Sequence, residues 1–482
     1  MTYPPTQSDT DRQALLNDAI DWAVAHGLLI RPPVEKVSDS FENGSLVTHA
    51  PFTLYPTPFP RAEFEKAKGL QQPWNTLIHK LSVDDALITE VMKELSGVDD
   101  FMQKLYEIYL KTKEEGVMQR ASLGIHRCDY LLHAEIGADT KSARIQQVEF
   151  NTIASSFGSL STYTSQLHRY LLQASERYAA GVINIDQLPE NRSVQAIAGG
   201  IASAWKLYGN PHARVMMVVQ PGERNVFDQR WIEYNLLESH GIRLLRRTLE
   251  EIEDRGELNP KTKALTIDGH EIAVTYFRSG YAPTDYPSSK EWDARLKVER
   301  SLSIKCPTVA YQIVGAKKIQ QLLSVPGRLE RYVDVYTADL LRESFTGLYP
   351  FDNSAEGQHA YKLALEDPER FVMKPQREGG GNNIYGSDIV DTLKKLTVEE
   401  RSAYILMELI RSPPLENLMV REGKLIEGEV ASELGIYGIY LNDGDKAIVN
   451  EIGGHLLRTK AHSTKEGGVA AGFAVIDSPL LV

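Results

Sequence analysis

Cysteine is nearly absent from this chain, since Cys128 and Cys306 are the only two among 482 residues. They lie far apart and neither belongs to a CxxC pair, so a structural zinc site has no cysteine cluster to use. So few cysteines in so long a chain are typical of a reducing compartment. We expect two inert thiols and no disulfide.

Long apolar runs and excess positive charge are missing as well. No apolar run approaches the roughly 18 residues that span a bilayer, and the N-terminus lacks a basic, apolar leader. We therefore expect a soluble, cytoplasmic protein with no membrane partner. With 53 basic and 65 acidic residues the net charge is −12, which disfavours a nucleic-acid partner. An anionic substrate would have to be held by local arginines and lysines.

The composition is that of an ordinary globular protein of two or three domains, with 42% hydrophobic and 24% charged residues. We predict an α/β (α+β) chain with regions 1–212, 213–316 and 317–482. A capping box of Thr10 and Gln13 predicts the start of a first helix that ends before Gly27. Residues 28–76 are rich in proline and polar residues and predict an irregular surface segment, while 83–116 predict helices.

Region 213–316 has the clearest pattern. An apolar run at 214–220, a helical pattern ending at Gly241 and a second short run at 242–245 predict a strand, helix and parallel strand. Asp268-Gly269 predicts a hairpin turn into a strand at 272–277. The C-terminal third predicts further strands at 371–374, 403–410, 417–433 and 446–450.

The segment 371–386, FVMKPQREGGGNNIYG, carries the strongest functional signal. Three glycines leave room for backbone N–H groups to close around a phosphate, and Lys374 supplies a positive charge. Glu378 could hold the magnesium that accompanies a polyphosphate. The spacing matches neither GxxxxGK[ST] nor GxGxxG, and a glycine run by itself is more often a flexible surface loop. Lysine, acid, glycines and asparagines together favour a phosphate-covering loop.

Glu149-Phe150-Asn151 is the second signal. In a strand Glu149 and Asn151 point to the same face, and their oxygens suit Mg²⁺. The small-residue turn at 152–158 follows directly and can present N–H groups to a carboxylate. Such a pair alone is usually a polar strand edge.

Several basic residues end strand-like runs near glycines: Arg127, Arg278, Arg458 and Lys460. The planar guanidinium groups of the arginines suit a substrate with several carboxylates, although any one of these basic residues is more often a surface charge. The run 406–410 could line an adenine slot or be plain core. The loop 467–472, GGVAAG, suits a tight cover over a small ligand.

Seven segments together resemble the eukaryotic-type glutathione synthetases: KPQREGGGNNIYG (374–386), VEFNTIASSFG (148–158), ERNVFDQR (223–230), YFRSGY (276–281), GAKKIQQ (315–321), SELGIYG (432–438) and HLLRTK…EGGVAAG (455–472). The resemblance runs from about residue 12 to the C-terminus. It implies an ATP-grasp fold with a glycine-rich lid and an inserted parallel-sheet substrate-binding domain. It also implies a homodimer that makes N-terminal contacts, and a ligase that joins γ-glutamylcysteine to glycine through an acyl phosphate and releases ADP.

The resemblance also implies site residues. The magnesium ligands would be Glu149, Asn151 and Glu378. The residues that meet ATP would be Glu149, Lys317, Lys374, Pro375, Gln376, Arg377, Glu378, Gly379, Gly380, Gly381, Asn382, Asn383, Tyr385, Met407, Glu408, Leu409, Ile410, Glu433, Lys460 and Glu466. The residues that meet the peptide would be Arg127, Ile153, Ala154, Ser155, Ser156, Glu223, Arg224, Asn225, Gln229, Arg278, Ser279, Gly280, Tyr281, Arg458, Val469 and Ala470. Arg458, Lys374 and Lys317 would act on the reacting groups.

Two positions depart from the family pattern. Ala154 stands where some members have serine, which leaves only a backbone contact, and Leu409 stands where others have lysine. Three alternatives remain: a homoglutathione synthetase that uses β-alanine, a nucleotide-binding protein without catalysis, and an ATP-grasp ligase with other substrates. Ala470-Ala471 favours glycine as the acceptor, and the intact motifs count against the other two.

Overall fold

A computed structural model describes residues 3–33, 45–135, 142–175, 178, 183–376, 382–444, 446–465, 467–469 and 472–482. The first half contains α1 (Asp9–Ala25), β1 (Leu29–Ile30), β2 (Thr48–His49), β3 (Phe52–Thr53), β4 (Thr57–Phe59), α2 (Arg61–Ser82), α3 (Asp85–Leu95), α4 (Asp100–Glu115), β5 (Ser122–His133), β6 (Arg144–Asn151), α5 (Gly158–Ala174), α6 (Ser193–Tyr208), β7 (Arg214–Val218) and α7 (Val226–His240).

The second half contains β8 (Leu244–Arg247), α8 (Leu249–Arg255), β9 (Gly256–Leu258), β10 (Leu265–Ile267), β11 (His270–Phe277), α9 (Ser289–Glu299), β12 (Ile304–Cys306), α10 (Val309–Val314), α11 (Lys317–Ser324), α12 (Val335–Arg342), β13 (Leu348–Pro350), α13 (Ala355–Glu366), β14 (Phe371–Pro375), β15 (Ile384–Tyr385), α14 (Ser387–Lys395), α15 (Val398–Arg401), β16 (Tyr404–Glu408), β17 (Leu415–Arg421), β18 (Lys424–Asn442), β19 (Ala447–Ala461), β20 (Ala474–Asp477) and β21 (Pro479–Leu481).

Thirteen strands form one mixed sheet, which confirms the α/β class. Its centre is β5, which pairs with β18 along one edge and shares its other edge between β6 and β12. The pairs β12–β11, β11–β7 and β7–β8 are parallel, whereas β18–β19 and β19–β20 are antiparallel. β5 is antiparallel to both β6 and β18. The sheet therefore joins strands from all three predicted regions. The division into domains remains a prediction.

Two apolar cores cover the two faces of this sheet, because side chains alternate along each strand. Leu123 and Ile125 of β5 pack under α1, α5, α6 and α7, while Cys128 and Tyr130 pack under α2, α3 and α4. Both cysteines are buried free thiols, as expected. Burial raises the pKa of each thiol, because the thiolate would lose its hydration, and this favours the unreactive thiol form.

A second, four-stranded sheet has the order β13-β16-β14-β15. One of its faces packs on α13 and α14 through residues such as Phe371 and Leu406. The other face carries Val372, Ile405 and Met407, against which Leu409 and Ile410 pack. The run 406–410 therefore contributes both to a core and to a second apolar face.

Region 213–316 has the predicted strand, helix and parallel strand, in β7, α7 and β8. The hairpin at Asp268-Gly269 is also confirmed, with both residues at positive φ between Ile267 and His270. Gly269 adopts its positive φ at little steric cost, because glycine has no Cβ.

The predicted helices at 83–116 are α3 and α4.

Three local predictions were wrong. Ser8, not Thr10, caps α1 by accepting from the Asp11 N–H. The predicted irregular segment 28–76 contains most of α2, which buries Phe64, Trp74 and Leu77 despite Pro73 inside it. Burial of an apolar face outweighs the backbone hydrogen bond that proline removes.

The predicted strand at 417–433 is in fact two strands. Glu422 and Gly423 both have positive φ and form the turn between β17 and β18. This two-residue connection was missed because the flanking residues give no alternation strong enough to mark it. Among the described residues, no helix has the length and hydropathy needed to cross a bilayer.

Candidate functional site

A cavity of about 830 Å³ opens between the two sheets. This volume is typical of a site that holds a nucleotide-sized ligand. Most of the residues that the family resemblance implies line it: Arg127, Glu149, Asn151, Ile153, Ala154, Ser155, Ser156, Glu223, Asn225, Arg278, Tyr281, Lys317, Lys374, Pro375, Asn382, Asn383, Tyr385, Met407, Glu408, Leu409, Ile410, Glu433, Arg458, Lys460 and Val469.

The charged floor of this cavity arises from strand register. Arg127 pairs with Asn151 and Asp129 with Glu149 across β5 and β6, while Glu433 pairs with Arg458 across β18 and β19. These side chains lie on the face of the sheet that carries the apolar core beneath α5 and α6. The core thus gives way to a charged patch along the same face.

Asp129 is the hub of this patch, although it was not predicted. Its Oδ1 accepts from Arg127 Nε (2.6 Å), and its Oδ2 accepts from Arg127 Nη2 (2.8 Å), Asn151 Nδ2 (2.9 Å) and Arg458 Nη2 (2.9 Å). Arg458 Nη2 also donates to Glu433 Oε1 (2.5 Å). Burial raises the pKa of Glu433 above its usual value; Arg458 opposes this, and the nearby Asp129 carboxylate adds to it.

Gly435 explains part of the motif SELGIYG. It lies opposite Asp129 in β18, and a Cβ there would come within 2.7 Å of both Arg127 Cδ and Asp129 Oδ1. Contacts below 3.0 Å would force one of these groups to move. The glycine therefore makes room for the arginine–aspartate pair.

Two lysines flank Glu149. Lys317 Nζ lies 2.7 Å from Glu149 Oε2, and Lys374 Nζ donates to the Val148 carbonyl (3.1 Å). Burial alone would raise the pKa of Glu149, but the charges of Lys317 and Lys374 outweigh it and hold the pKa well below its usual value. Glu149 is therefore a carboxylate that lies between two positive charges. The carboxylate could bind a metal ion, and the two lysines could bind the phosphates of a polyphosphate.

Glu149 and Asn151 share one face of β6, as the sequence predicts, and both line the cavity. The amide nitrogen of Asn151 donates to Asp129 and to the Arg127 carbonyl (3.2 Å), which fixes the orientation of its oxygen. These two oxygens suit a hard cation. The third predicted ligand, Glu378, lies outside the described residues together with Arg377, Gly379, Gly380 and Gly381. Among the residues that are described, no group of three or more histidine, cysteine or acidic side chains is placed to hold a metal.

The turn after β6 has a strained backbone. Ala154 (φ 51°) and Phe157 (φ 70°) adopt left-handed conformations that non-glycine residues rarely use. Asp228 stabilises the turn, since its carboxylate accepts from Phe157 N (2.9 Å) and Ser159 N (2.8 Å) at the start of α5. The turn presents Ser155 to the cavity, and the Ser155 hydroxyl is buried with no hydrogen-bond partner in the described structure.

Arg278 lies beside this turn at the end of β11. It is 3% exposed and donates through Nη2 to Asp228 (2.9 Å), but Nε and Nη1 meet no acceptor among the described residues. Leaving buried N–H groups unpaired costs free energy. An arginine that is held on one side and unpaired on the other is therefore prepared to bind an anion.

The loop after Arg278 is held from behind. Asp285 Oδ2 accepts from the N–H groups of Gly280 (2.9 Å), Tyr281 (3.0 Å) and Ala282 (3.1 Å). The Gly280 carbonyl accepts from Gln312 Nε2 (2.8 Å). Ser279 and Gly280 do not line the cavity and contribute backbone to this loop.

Glu223 forms the far wall. Its carboxylate accepts from the Asn225 N–H (2.7 Å) and from Gln229 Nε2 (3.2 Å), and Gln229 in turn accepts from Arg246 (2.5 Å). Gln229 and Arg224 do not line the cavity; Gln229 supports Glu223 from behind. Burial lowers the pKa of Arg246 to about 10, with a smaller effect of the Arg230 charge.

The small sheet supplies an apolar wall. Val372, Met407, Leu409 and Ile410 face the cavity from the side of this sheet that lies opposite α13 and α14. The Leu409 N–H donates to the Arg370 carbonyl (2.9 Å), so a base bound here could not use that group. Gln376 is buried away from the cavity, where its Oε1 accepts from Lys318 N (2.7 Å).

Two loops meet over the cavity. The Tyr385 hydroxyl donates to the Lys465 carbonyl (3.3 Å), which also accepts from Lys460 Nζ (2.8 Å). Lys465 extends toward Glu369 (3.6 Å). The glycine-rich segments at 376–386 and 465–472 are thus in contact through residues that lie at their described edges. Glu466 and Ala470 lie outside the described residues.

Five cavity residues lie in segments that the sequence had singled out but were given no individual role: Val148, Phe157, Val372, Gly467 and Gly468. Sequence reasoning missed a further ten: Leu131, Gln220, Ala282, Glu369, Arg411, Ser412, Ala431, His462, Thr464 and Lys465. Proximity to predicted residues in strands β5, β6, β14 and β18 was the available signal. For His462, Thr464 and Lys465 the sequence gives no signal except that they lie between the segments HLLRTK and EGGVAAG.

Comparison with known proteins shows the family of the chain. Residues 9–481 match the family model for the ATP-binding domain of eukaryotic glutathione synthase. The chain is 43% identical to the glutathione synthetase of Dictyostelium discoideum (97% of this chain, 98% of the relative) and 42% identical to that of Homo sapiens (98% of each). It is also 42% identical to a chloroplastic glutathione synthetase of Arabidopsis thaliana (98% of this chain, 85% of the relative).

The fold is similar to that of a solved glutathione synthetase-like effector from Globodera pallida in its apo form. The TM-score is 0.77 at 23% identity, over 100% of this chain and 99% of the other. At that identity the likeness concerns the fold alone.

Proposed function

The chain belongs to the eukaryotic glutathione synthetase family, and we propose how the cavity between its two sheets carries out the family's reaction. The activity is an ATP-dependent ligation that makes glutathione from γ-glutamylcysteine and glycine and releases ADP and phosphate. The observation that carries the assignment to this cavity is its division into two ends. One end holds Glu149 between Lys317 and Lys374, and the other holds Arg278 with unpaired N–H groups.

ATP occupies the end near the small sheet in an ATP-grasp arrangement. The apolar wall of Val372, Met407 and Ile410 takes the adenine ring, because a flat apolar base gains from burial there. The phosphates extend to Lys317 and Lys374, with the segment 376–383 as a lid. Arg377, Gly379, Gly380, Gly381 and Glu466 are assigned to this role by the family resemblance.

Magnesium fits the donors that are described. Glu149 is ionised, and the Asn151 oxygen is oriented by the bonds of its amide nitrogen to Asp129 and Arg127. With Glu378 these residues would hold the ion that accompanies ATP. When bound, the ion would offset negative charge on the phosphates.

The dipeptide occupies the other end. Arg278 takes a carboxylate through its unpaired N–H groups, and the turn at 153–156 surrounds it with small side chains. Glu223 is placed to meet the α-ammonium of the γ-glutamyl group, since it is a carboxylate at the same wall. Asn225 and Tyr281 complete this wall. The peptide then places its cysteinyl carboxylate toward Arg127 and Arg458.

The chemistry requires activation, because a carboxylate is a poor acyl donor. A cysteinyl carboxylate oxygen attacks the γ-phosphorus of ATP, the bond to the β-bridging oxygen breaks, and ADP leaves. Lys374 and Lys317 stabilise the charge on the transferred group. The glycine amine then attacks the acyl carbon, the C–O bond to the phosphoryl group breaks, and phosphate leaves with the bond electrons and takes up the proton that the amine loses. Arg458 stabilises the oxyanion of the tetrahedral intermediate.

Water competes with glycine for the acyl phosphate, so the site must close. The contact of Tyr385 with the Lys465 carbonyl joins the two glycine-rich segments over the cavity. We assign this contact to the closed form of the lid. The acceptor is glycine rather than β-alanine, because Ala470-Ala471 matches the glycine-using form in the family pattern.

The molecule is a homodimer in this proposal. The helices α1, α5 and α7 lie side by side and present Val24 (48% exposed), Tyr170 (42%), Tyr234 (42%) and Leu237 (52%) to the outside. Exposed apolar groups on adjacent helices suit a self-complementary interface. Two reduced, buried cysteines support the cytoplasm as its compartment.

The test is ADP release by the purified protein with Mg-ATP. γ-Glutamylcysteine and glycine are added singly and together, and β-alanine replaces glycine in a parallel series. We expect turnover only with all components, and glycine well ahead of β-alanine. ATP binding without turnover in every mixture would contradict the proposal, and preference for β-alanine would contradict the acceptor assignment.

A further inference from the structure

Asp129 is the most heavily bonded carboxylate beneath the cavity, and no motif in the sequence marks it. It is fully buried, and it does not line the cavity. Four N–H donors already point at its two oxygens. It therefore has neither the access nor the open lone pairs that a general base would need.

The donors come from three strands with three different tasks. Arg127 and Asp129 itself lie on β5, Asn151 on β6 and Arg458 on β19. In the proposed function Arg127 meets the peptide, Asn151 holds the metal and Arg458 stabilises the reacting carbonyl. One oxygen, Oδ2, is shared by all three groups at 2.8–2.9 Å.

We propose that Asp129 is a positioning residue that sets the relative placement of the peptide-binding arginine, the metal-binding amide and the oxyanion-stabilising arginine. This inference rests on the proposed function. It predicts that binding of the peptide, the response to Mg²⁺ and the chemical step all depend on a residue that touches none of the ligands.

The charge balance supports this role. Arg127 and Arg458 bring two positive charges into a buried region, and Asp129 and Glu433 are the carboxylates bonded to them. Arg127 has no other acidic partner among the described residues, and its remaining bond goes to the Ser156 carbonyl (3.2 Å). Without Asp129 its guanidinium would turn toward other acceptors, including bound ligands.

Asn151 provides the second argument. An amide can present either its oxygen or its nitrogen to the cavity, and only the oxygen ligates a cation. Because the Asn151 amide nitrogen donates to Asp129 Oδ2, the nitrogen points toward the protein and the oxygen points toward the cavity. The carboxylate thus determines the chemistry of a neighbouring residue that has no charge.

The experiment compares three variants of the full-length protein with the wild type. Asp129→Asn keeps the shape but removes the charge and two acceptor positions. Gly435→Ala keeps every charged group but brings a Cβ within 2.7 Å of Asp129 Oδ1 and Arg127 Cδ. Asp99→Ala is the matched control. Asp99 is also a buried carboxylate, but it caps α4 through the Met102 N–H (3.0 Å) and does not line the cavity.

The readouts are KM for γ-glutamylcysteine, the Mg²⁺ concentration that gives half-maximal rate at fixed ATP, kcat and Tm. For Asp129→Asn we expect kcat to fall, and KM and the Mg²⁺ midpoint to rise, each by on the order of tenfold. Gly435→Ala should move all three in the same direction by about threefold or more. Asp99→Ala should lower Tm and leave KM and the Mg²⁺ midpoint unchanged.

An Asp129→Asn protein that folds and differs from the wild type in Tm alone would overturn the proposal. If Asp129→Asn does not fold, Gly435→Ala decides, and wild-type KM and Mg²⁺ midpoint in that variant would overturn the proposal. Wild-type protein that fails to turn over γ-glutamylcysteine and glycine would instead contradict the proposed function. The two failures are therefore distinguishable in one series of assays.

Discussion

At the scale of single residues, the site depends on charges that are buried only because partners meet them. Lys317, Lys374 and Glu149 illustrate this, since each would be costly to bury alone. All three residues were predicted from motifs, but the pairing of Glu149 with the lysine charges was not. That partnership arises because β6, β14 and α11 converge on one end of the cavity.

The two lysines should therefore respond differently to replacement by methionine. Lys374→Met is expected to reduce kcat at least a hundredfold, because the positive charge that stabilises the transferred phosphoryl group is lost. Tm should change little. Lys317→Met should be as inactive and also less stable, because it removes the ion pair of Glu149. Steady-state ADP release and thermal unfolding would show this, with the exposed Lys68→Met as control. Activity that disappears only together with the circular dichroism signal would contradict the assignment of Lys374.

Asp477 gives a pH-dependent prediction at the same scale. Burial raises its pKa to about 6, against hydrogen bonds from Thr459, Thr53 and Thr57. The folded state therefore binds a proton between about pH 4 and pH 6 that the unfolded state does not bind. The cost of the buried charge, about 3 kcal/mol, is fully present above pH 6 and is relieved as pH falls.

Asp477→Asn removes this titration. The unfolding free energy of the wild type, relative to the variant, should rise as pH is lowered from 7 to 4. Urea unfolding of both proteins at pH 7, 6, 5 and 4 measures the difference. A difference that is constant across this range would show that the carboxyl does not titrate there.

At the scale of elements, β18 illustrates how one strand serves two faces. Gly435 lies against Arg127 and Asp129 and makes room for them, whereas Gly438 faces α2. A Cβ at Gly438 would lie 2.0 Å from Asn75 Oδ1 and 2.4 Å from Gln71 Nε2, both buried polar groups. The motif SELGIYG therefore combines a functional glycine with a packing glycine.

Gly438→Ala is expected to lower the free energy of unfolding by about 2–3 kcal/mol, because α2 must move or lose buried hydrogen bonds. Gly69→Ala is the matched change, since Gly69 lies within α2 with open space around its Cβ position. That variant should gain about 0.5–1 kcal/mol from helix propensity. Urea unfolding of both variants tests the pair, and a stable Gly438→Ala protein would show that α2 yields easily.

At the scale of the whole molecule, the cavity exists only where two sheets meet. The large sheet supplies Glu149, Arg127 and Arg458, and the small sheet supplies the apolar wall at Met407. Neither sheet forms the site alone. A second feature at this scale is the outer surface of α1, α5 and α7, which we propose as the dimer interface.

Leu237→Arg and Tyr234→Arg should convert the proposed dimer to a monomer, because each introduces a charge into the proposed interface of identical surfaces. Sedimentation velocity before and after the change measures the mass. Val335→Arg, at an exposed apolar position on α12, is the control and should leave the mass unchanged. A wild-type protein that sediments as a 54.0 kDa species would contradict the dimer.

The sequence by itself determined the α/β class, the parallel unit of β7, α7 and β8, the shared face of Glu149 and Asn151, and most of the residues that line the cavity. These follow from local periodicity and from motifs, which are written in consecutive residues. Only the tertiary structure decided that Asp129 joins three site residues, that Asp285 holds the loop after Arg278, and that α2 is a buried helix despite Pro73. Strand register brings Asp129 to Asn151 and Arg458, which are 22 and 329 residues away, and packing of its apolar face makes α2 a helix. Local patterns encode neither effect.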